Sequence, residues 1–184
     1  MHYLIVGNSQ DADLSGAAHA DVTIQINDCR YADKLPLVRN QYIFLTNAGP
    51  YSGSIVDRLL TRRASIPFAQ IILARNPLFY ALKKRLLPRH RHRDYQLTWE
   101  WDRLHKSWAA RAVSCFSTLR LERRLVKLGM PPSFMPSTGM IAYDWVSRQL
   151  RGGDVLEVRG FTFQGWDQHP WEIERQLVKS KSLC

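Results

Sequence analysis

Residues 1–9 read Met1-His2-Tyr3-Leu4-Ile5-Val6-Gly7-Asn8-Ser9. Tyr3 to Val6 is continuously apolar, and the run breaks on a small, polar tip. So short a stretch, apolar at successive positions, suits a strand covered on both faces. Its Gly7-Asn8-Ser9 tip would then stand at the carboxyl edge of the sheet, where open α/β sheets hold their ligands. Five further β-rich runs follow: Val22 to Ile26, Tyr42 to Thr46, Gln70 to Ala74, Ala112 to Phe116 and Val155 to Val158. Helical or loop segments separate them. That alternation predicts an α/β protein: one Rossmann-like domain over residues 1–184, a mainly parallel sheet flanked by helices.

Two helices have clear ends. Leu121, Leu125 and Leu128 fall at helical spacing in Thr118 to Leu128, and Gly129 followed by Pro131 and Pro132 stops that helix. A second helix is expected from about Thr138 to Leu150, ended by Gly152 and Gly153. Asp13 to Ala20 has room for about two helical turns. In a chain of 184 residues that is 45% hydrophobic, a full core is expected and disorder is not. No apolar run approaches the roughly 18 residues that cross a bilayer, and no cleavable leader is visible. Cys29, Cys115 and Cys184 have no paired spacing, so they read as reduced thiols. The cytoplasm is the expected location.

Charge is the strongest compositional signal. With 26 Lys and Arg against 16 Asp and Glu, the formal net charge is +10, which favours an anionic partner. Lys83, Lys84, Arg85, Arg89, Arg91 and Arg93 are interleaved with Phe79, Tyr80, Leu82, Leu86 and Leu87 in a segment at about 78–93. It suits either an arm on an anionic membrane face or a solvated helix whose apolar side completes the core. His90, His92 and Asp94 would suit a metal only if aligned on one strand, and the arginines alternating with them disfavour this. No metal site is expected.

Four motifs carry polar chemistry. Gly7, Asn8 and Ser9 follow the first strand, where Gly7 permits close approach to the backbone and Asn8 both donates and accepts. Asn27 closes the second run, Ile24-Gln25-Ile26-Asn27, and would emerge near Asn8 if the two strands are parallel neighbours. Ser137, Thr138 and Gly139 open a helix, whose free N–H groups and positive dipole end favour a phosphate or carboxylate. His169 lies in Gly165-Trp166-Asp167-Gln168-His169-Pro170-Trp171-Glu172-Ile173-Glu174, available as a proton acceptor near neutrality with carboxylates close by. Each also has a plain structural reading: a turn, a turn, an N-cap and a surface histidine.

Taken together, the four resemble the sialylmotifs of animal-type sialyltransferases. Val6-Gly7-Asn8-Ser9 with Ile24-Gln25-Ile26-Asn27 resembles the large motif. Pro136 to Tyr143, followed by Val155 to Phe161, resembles the small one, and His169 with Glu174 the very small one. The resemblance covers roughly the first 30 residues and about 136–174. It implies a variant nucleotide-binding glycosyltransferase fold and a metal-independent, inverting enzyme with no cofactor. Asn8 and Asn27 would contact the cytidine monophosphate of the donor, a CMP-activated sugar such as CMP-sialic acid. Ser137, Thr138 and Gly139 would face that nucleotide, and His169 would take a proton from the hydroxyl of a glycan or lipid-linked saccharide acceptor. The basic segment would hold the enzyme at the inner membrane face. Two alternatives stand beside this: a non-catalytic nucleotide-binding protein of the same fold, and a basic nucleic-acid-binding protein, which the lack of any nucleic-acid motif disfavours.

Overall fold

A computed structural model describes residues 1–47, 52–86, 104 and 106–181. Six parallel strands form its sheet: β1 (His2–Val6), β2 (Val22–Ile26), β3 (Asn40–Leu45), β4 (Ala69–Leu73), β5 (Ala109–Ala112) and β6 (Val155–Arg159), in the order β5-β4-β3-β2-β1-β6. The chain steps outward in one direction from β1 to β5, then returns across the sheet to lay β6 on the free side of β1. Tyr3 pairs with Val22 on one side and Leu156 on the other. The helices given in full by the described residues are α1 (Ser52–Thr61), α2 (Pro77–Leu86), α3 (Cys115–Lys127), α4 (Thr138–Ser147) and α5 (Trp171–Lys181). The Rossmann-like parallel sheet read from the sequence is present.

Strand periodicity sorts the core. Tyr3, Ile5, Ile24, Phe44 and Ile72 point to one face, where Met140, Tyr143 and Val146 of α4 and Leu121 and Leu125 of α3 cover them. On the opposite face, Ile43, Leu45, Ile71 and Leu73 pack on Ile55, Val56 and Leu59 of α1. Leu4 and Val6 form a separate group there with Ala17, Tyr31 and Leu35. Between those two groups β2 contributes only Thr23 and Gln25, both buried. The apolar runs of β1, β3 and β4 thus do what their composition predicts, being buried on both faces.

Several expectations shift. The strand read at Ala112 to Phe116 lies three residues earlier, at Ala109–Ala112, because Ser114 caps α3 by accepting the Ser117 N–H at 3.2 Å. Asp13 to Ala20 holds a single 3-10 turn, Ala17–His19. Asp13 instead closes a tight turn on Ser15, accepting its N–H at 2.8 Å and its hydroxyl at 2.9 Å. Gly129 ends α3 with φ 98°, and the Met130 N–H reaches back to the Leu125 carbonyl at 2.9 Å. The second expected helix stops at Ser147 rather than Leu150. The basic segment begins as α2; its remainder, with His90, His92 and Asp94, lies outside the described residues. Among the described residues no cluster of metal-ligating side chains occurs, and no helix is long and apolar enough to cross a membrane.

Candidate functional site

The carboxyl ends of β1, β2, β3 and β6 and the start of α4 enclose a cleft of about 530 Å³. It opens where the strand order turns back, since the chain leaves β1 toward β2 while β6 lies on the other flank. Ligands of open α/β sheets settle at such points. Gly7, Asn8, Ser9, Asn27, Ser137, Thr138, Gly139 and His169 all line it. Residues read from four separated stretches of sequence therefore share one hollow. Glu174, read with them, does not line it.

The strand tips are laced together beyond the sheet. Gly7 N–H donates to the Arg159 carbonyl at 2.9 Å and Ser9 N–H to that of Gly160 at 3.0 Å. Asn27, at φ 51°, donates its N–H to the Phe44 carbonyl at 2.8 Å, and its Oδ1 accepts the Thr46 N–H at 2.8 Å. The residue itself lines the cleft. Asn8 Oδ1 is buried and has no donor among the described residues. Gly7 serves a different purpose from the one its sequence context suggested. A Cβ there would press on the Gly160 carbonyl, and one on Gly139 would press on the Phe161 ring. Both glycines make room for the loop after β6 while lining the cleft.

At α4, Ser137 is occupied as a cap. Its Oγ accepts the Met140 N–H at 3.0 Å and donates to Glu174 Oε2 at 2.6 Å, while its N–H donates to Glu174 Oε1 at 2.8 Å. The N–H groups of Thr138 and Gly139 have no acceptor among the described residues. They form the open, positive end of the helix. Glu174 is 1% exposed, and burial pushes its carboxyl above the ordinary glutamate range, opposed by the two Ser137 bonds and the charge of Arg75.

His169 sits between Trp166 and Trp171, edge-on to each with ring centroids 5.0 and 4.9 Å away. Its Nδ1 lies 2.7 Å from the Met135 carbonyl, which can only accept, so Nδ1 carries the proton and Nε2 keeps a lone pair. Burial, helped by Arg75 and opposed by the Met135 bond, lowers its pKa to about 4. The imidazole is neutral at physiological pH. It makes no bond to Glu174, which instead holds Ser137.

Three contributors escaped the sequence reading. Arg30 is the one charged side chain among the described cleft residues. Tyr31 pins the loop after β1: its hydroxyl reaches the carbonyls of Ser9 and Gln10, the latter at 2.8 Å, and accepts the Ala12 N–H at 3.2 Å. Arg75, 2% exposed, follows β4 and donates to the Pro136 carbonyl at 2.6 Å. A cation directly after the apolar run Ile71-Ile72-Leu73-Ala74 was the available signal for Arg75; Tyr31 had none.

No family model matches the chain, and no solved structure matches it. The urease operon 23 kDa accessory protein of Rhizobium meliloti (strain 1021) is 28% identical over 186 residues, covering 95% of this chain and 86% of its own length. That alignment, running through nearly the whole sequence, overturns the sialyltransferase resemblance, which rested on about the first 30 residues and about 136–174. Polar strand tips and a Ser-Thr-Gly helix start arise in any parallel sheet that caps its helices, which is why the motifs could be matched without the activity. The glycosyltransferase, its CMP-activated sugar, its glycan or lipid-linked acceptor and its hold on the membrane are corrected with it: this chain is similar to an accessory protein.

Proposed function

We propose that the protein is an accessory protein without turnover that binds a mononucleotide in this cleft, phosphate toward the start of α4. The observation that carries the reading is the meeting of Asn8, Asn27 and Thr138 in one hollow at the switch point of a parallel sheet. The unfilled N–H groups of Thr138 and Gly139 suit a phosphate, and the formal charge of +10 draws anions toward the molecule. Asn8 Oδ1 calls for a donor, the Asn27 amide for an acceptor, and His169 Nε2 for a hydroxyl or amine, which a nucleoside supplies. The designation of the Rhizobium relative as an accessory protein supports a binding role over an enzymatic one. The buried, reduced thiol of Cys29 supports a cytoplasmic setting.

Calorimetric titration with CMP, UMP, GMP and AMP tests this. At least one should bind, with Asn8→Ala and Thr138→Pro, which deletes a free N–H at the first helical position, each weakening it about tenfold, and chromatography should recover it intact after prolonged incubation. Silence with all four nucleotides overturns the binding role, and steady consumption of the bound nucleotide overturns the lack of turnover.

A further inference from the structure

Three consecutive residues lead into α4, and each is gripped by a polar side chain from a different part of the fold. His169 takes the Met135 carbonyl at 2.7 Å, Arg75 the Pro136 carbonyl at 2.6 Å, and Glu174 both the N–H and the hydroxyl of Ser137. The Met135 N–H is also spoken for, by the Gln168 carbonyl at 3.0 Å. Proline has no N–H, so its carbonyl is the only backbone handle at the middle position. Arg75 itself is fixed at its root, where Asn47 exchanges two bonds with its backbone N–H and carbonyl, each at 2.9 Å.

Burying a guanidinium at 2% exposure is costly unless something requires the charge there. The helix does not require it: a cation beside a helix N-terminus opposes the dipole. The charge of Arg75 also acts on Glu174, opposing the rise that burial gives its carboxyl. What remains is the positive helix end, aimed into the cleft and held by a buried cation that does not line it. Such an arrangement is wrong for the helix alone and right for an anion seated against its first turn.

We infer that Arg75 is a positioning residue that, through Pro136, sets the start of α4 for the ligand's anionic group, an inference that rests on the nucleotide reading of the cleft. It predicts a loss confined to the phosphate. Affinity for the mononucleotide and for its nucleoside is compared by calorimetry in the wild type, Arg75→Met and Arg75→Lys. The nucleotide-to-nucleoside affinity ratio should drop about tenfold in Arg75→Met and less in Arg75→Lys, which keeps the charge. An unchanged ratio, or an equal loss of both ligands, overturns the inference. If Arg75→Met does not fold, Arg75→Lys decides by the same ratio. A second readout needs no ligand: hydrogen exchange at the Met135 and Ser137 N–H groups, both bonded in the lead-in, should quicken in Arg75→Met and Arg75→Lys while exchange in β1 stays slow. A wild type that binds no nucleotide refutes the proposed function, and hydrogen exchange then decides the role of Arg75: faster exchange confined to the lead-in supports it, and unchanged exchange overturns it.

Discussion

Glu174 on α5 accepts two hydrogen bonds from Ser137, at 2.8 Å from the N–H and 2.6 Å from the hydroxyl, in a setting where the carboxylate is 1% exposed. One carboxylate thus welds the start of one helix to the first turn of another. Replacing it with alanine leaves two buried donors without an acceptor, at a cost of about 2–4 kcal/mol. Glu174→Ala should unfold at markedly lower denaturant, and Glu174→Gln, with one acceptor oxygen, should fall between it and the wild type. Equal midpoints for all three would contradict the weld.

Gly7 and Gly139 present two different obstacles. A side chain at Gly7 meets the backbone carbonyl of Gly160, whereas one at Gly139 meets the Phe161 ring. Backbone cannot step aside; a ring sometimes can. Gly7→Ala should cost more than Gly139→Ala, with both in the range of about 1–3 kcal/mol. A smaller residue at 161 should rescue only the second. Thermal melts of Gly7→Ala, Gly139→Ala and each combined with Phe161→Leu provide the comparison.

Acid should expose the state of His169. Its folded pKa of about 4 lies below the ordinary 6.5, so its neutral form stabilises the fold above 6.5, and that contribution is lost as pH falls toward 4. The raised pKa of Glu174 works in the opposite direction, adding stability below the ordinary glutamate range and losing it as pH rises through the folded value. Comparing His169→Gln with the wild type isolates the histidine. The difference in stability between them should change by on the order of 2 kcal/mol between pH 7 and pH 4. A constant difference would mean that the ring titrates normally.

Tyr31→Phe removes only a hydroxyl, yet that hydroxyl ties down Ser9, Gln10 and Ala12. The expected outcome is a loss of about 1 kcal/mol in stability. Mononucleotide affinity should also weaken, because the Asn8-Ser9 tip would no longer be held in place. Hydrogen exchange at Ser9 and Ala12 should quicken while that in β1 stays slow.

Much of this architecture is legible because it rests on local patterns. Tyr3 to Val6 and Val22 to Ile26 could hardly be anything but buried strands, and Gly129 with two prolines could hardly continue a helix. The meeting of Asn8 with Asn27 followed once the strands were taken as parallel neighbours, whereas only the family resemblance joined Thr138 to them. What stayed hidden depends on contacts between distant residues. Nothing near Arg75 in sequence announces Pro136, and nothing near Tyr31 announces Ser9. Ala112 to Phe116 misled because its composition suits a strand, whereas Ser114 starts a helix by accepting the Ser117 N–H on its hydroxyl oxygen. The transferase reading failed for a related reason: motifs report strand tips and caps faithfully, and these are common to proteins of very different employment.

The strand order has a consequence for synthesis. β1 emerges first, yet it is completed only when β6 arrives about 150 residues later, and the cleft borrows its remaining walls from Gly160 to Trp171. A nascent chain made only as far as α4 has strand tips but lacks those walls. The cleft therefore takes shape only once the sheet has closed on β6, so anything that depends on its full outline is sensitive to the last strand to join.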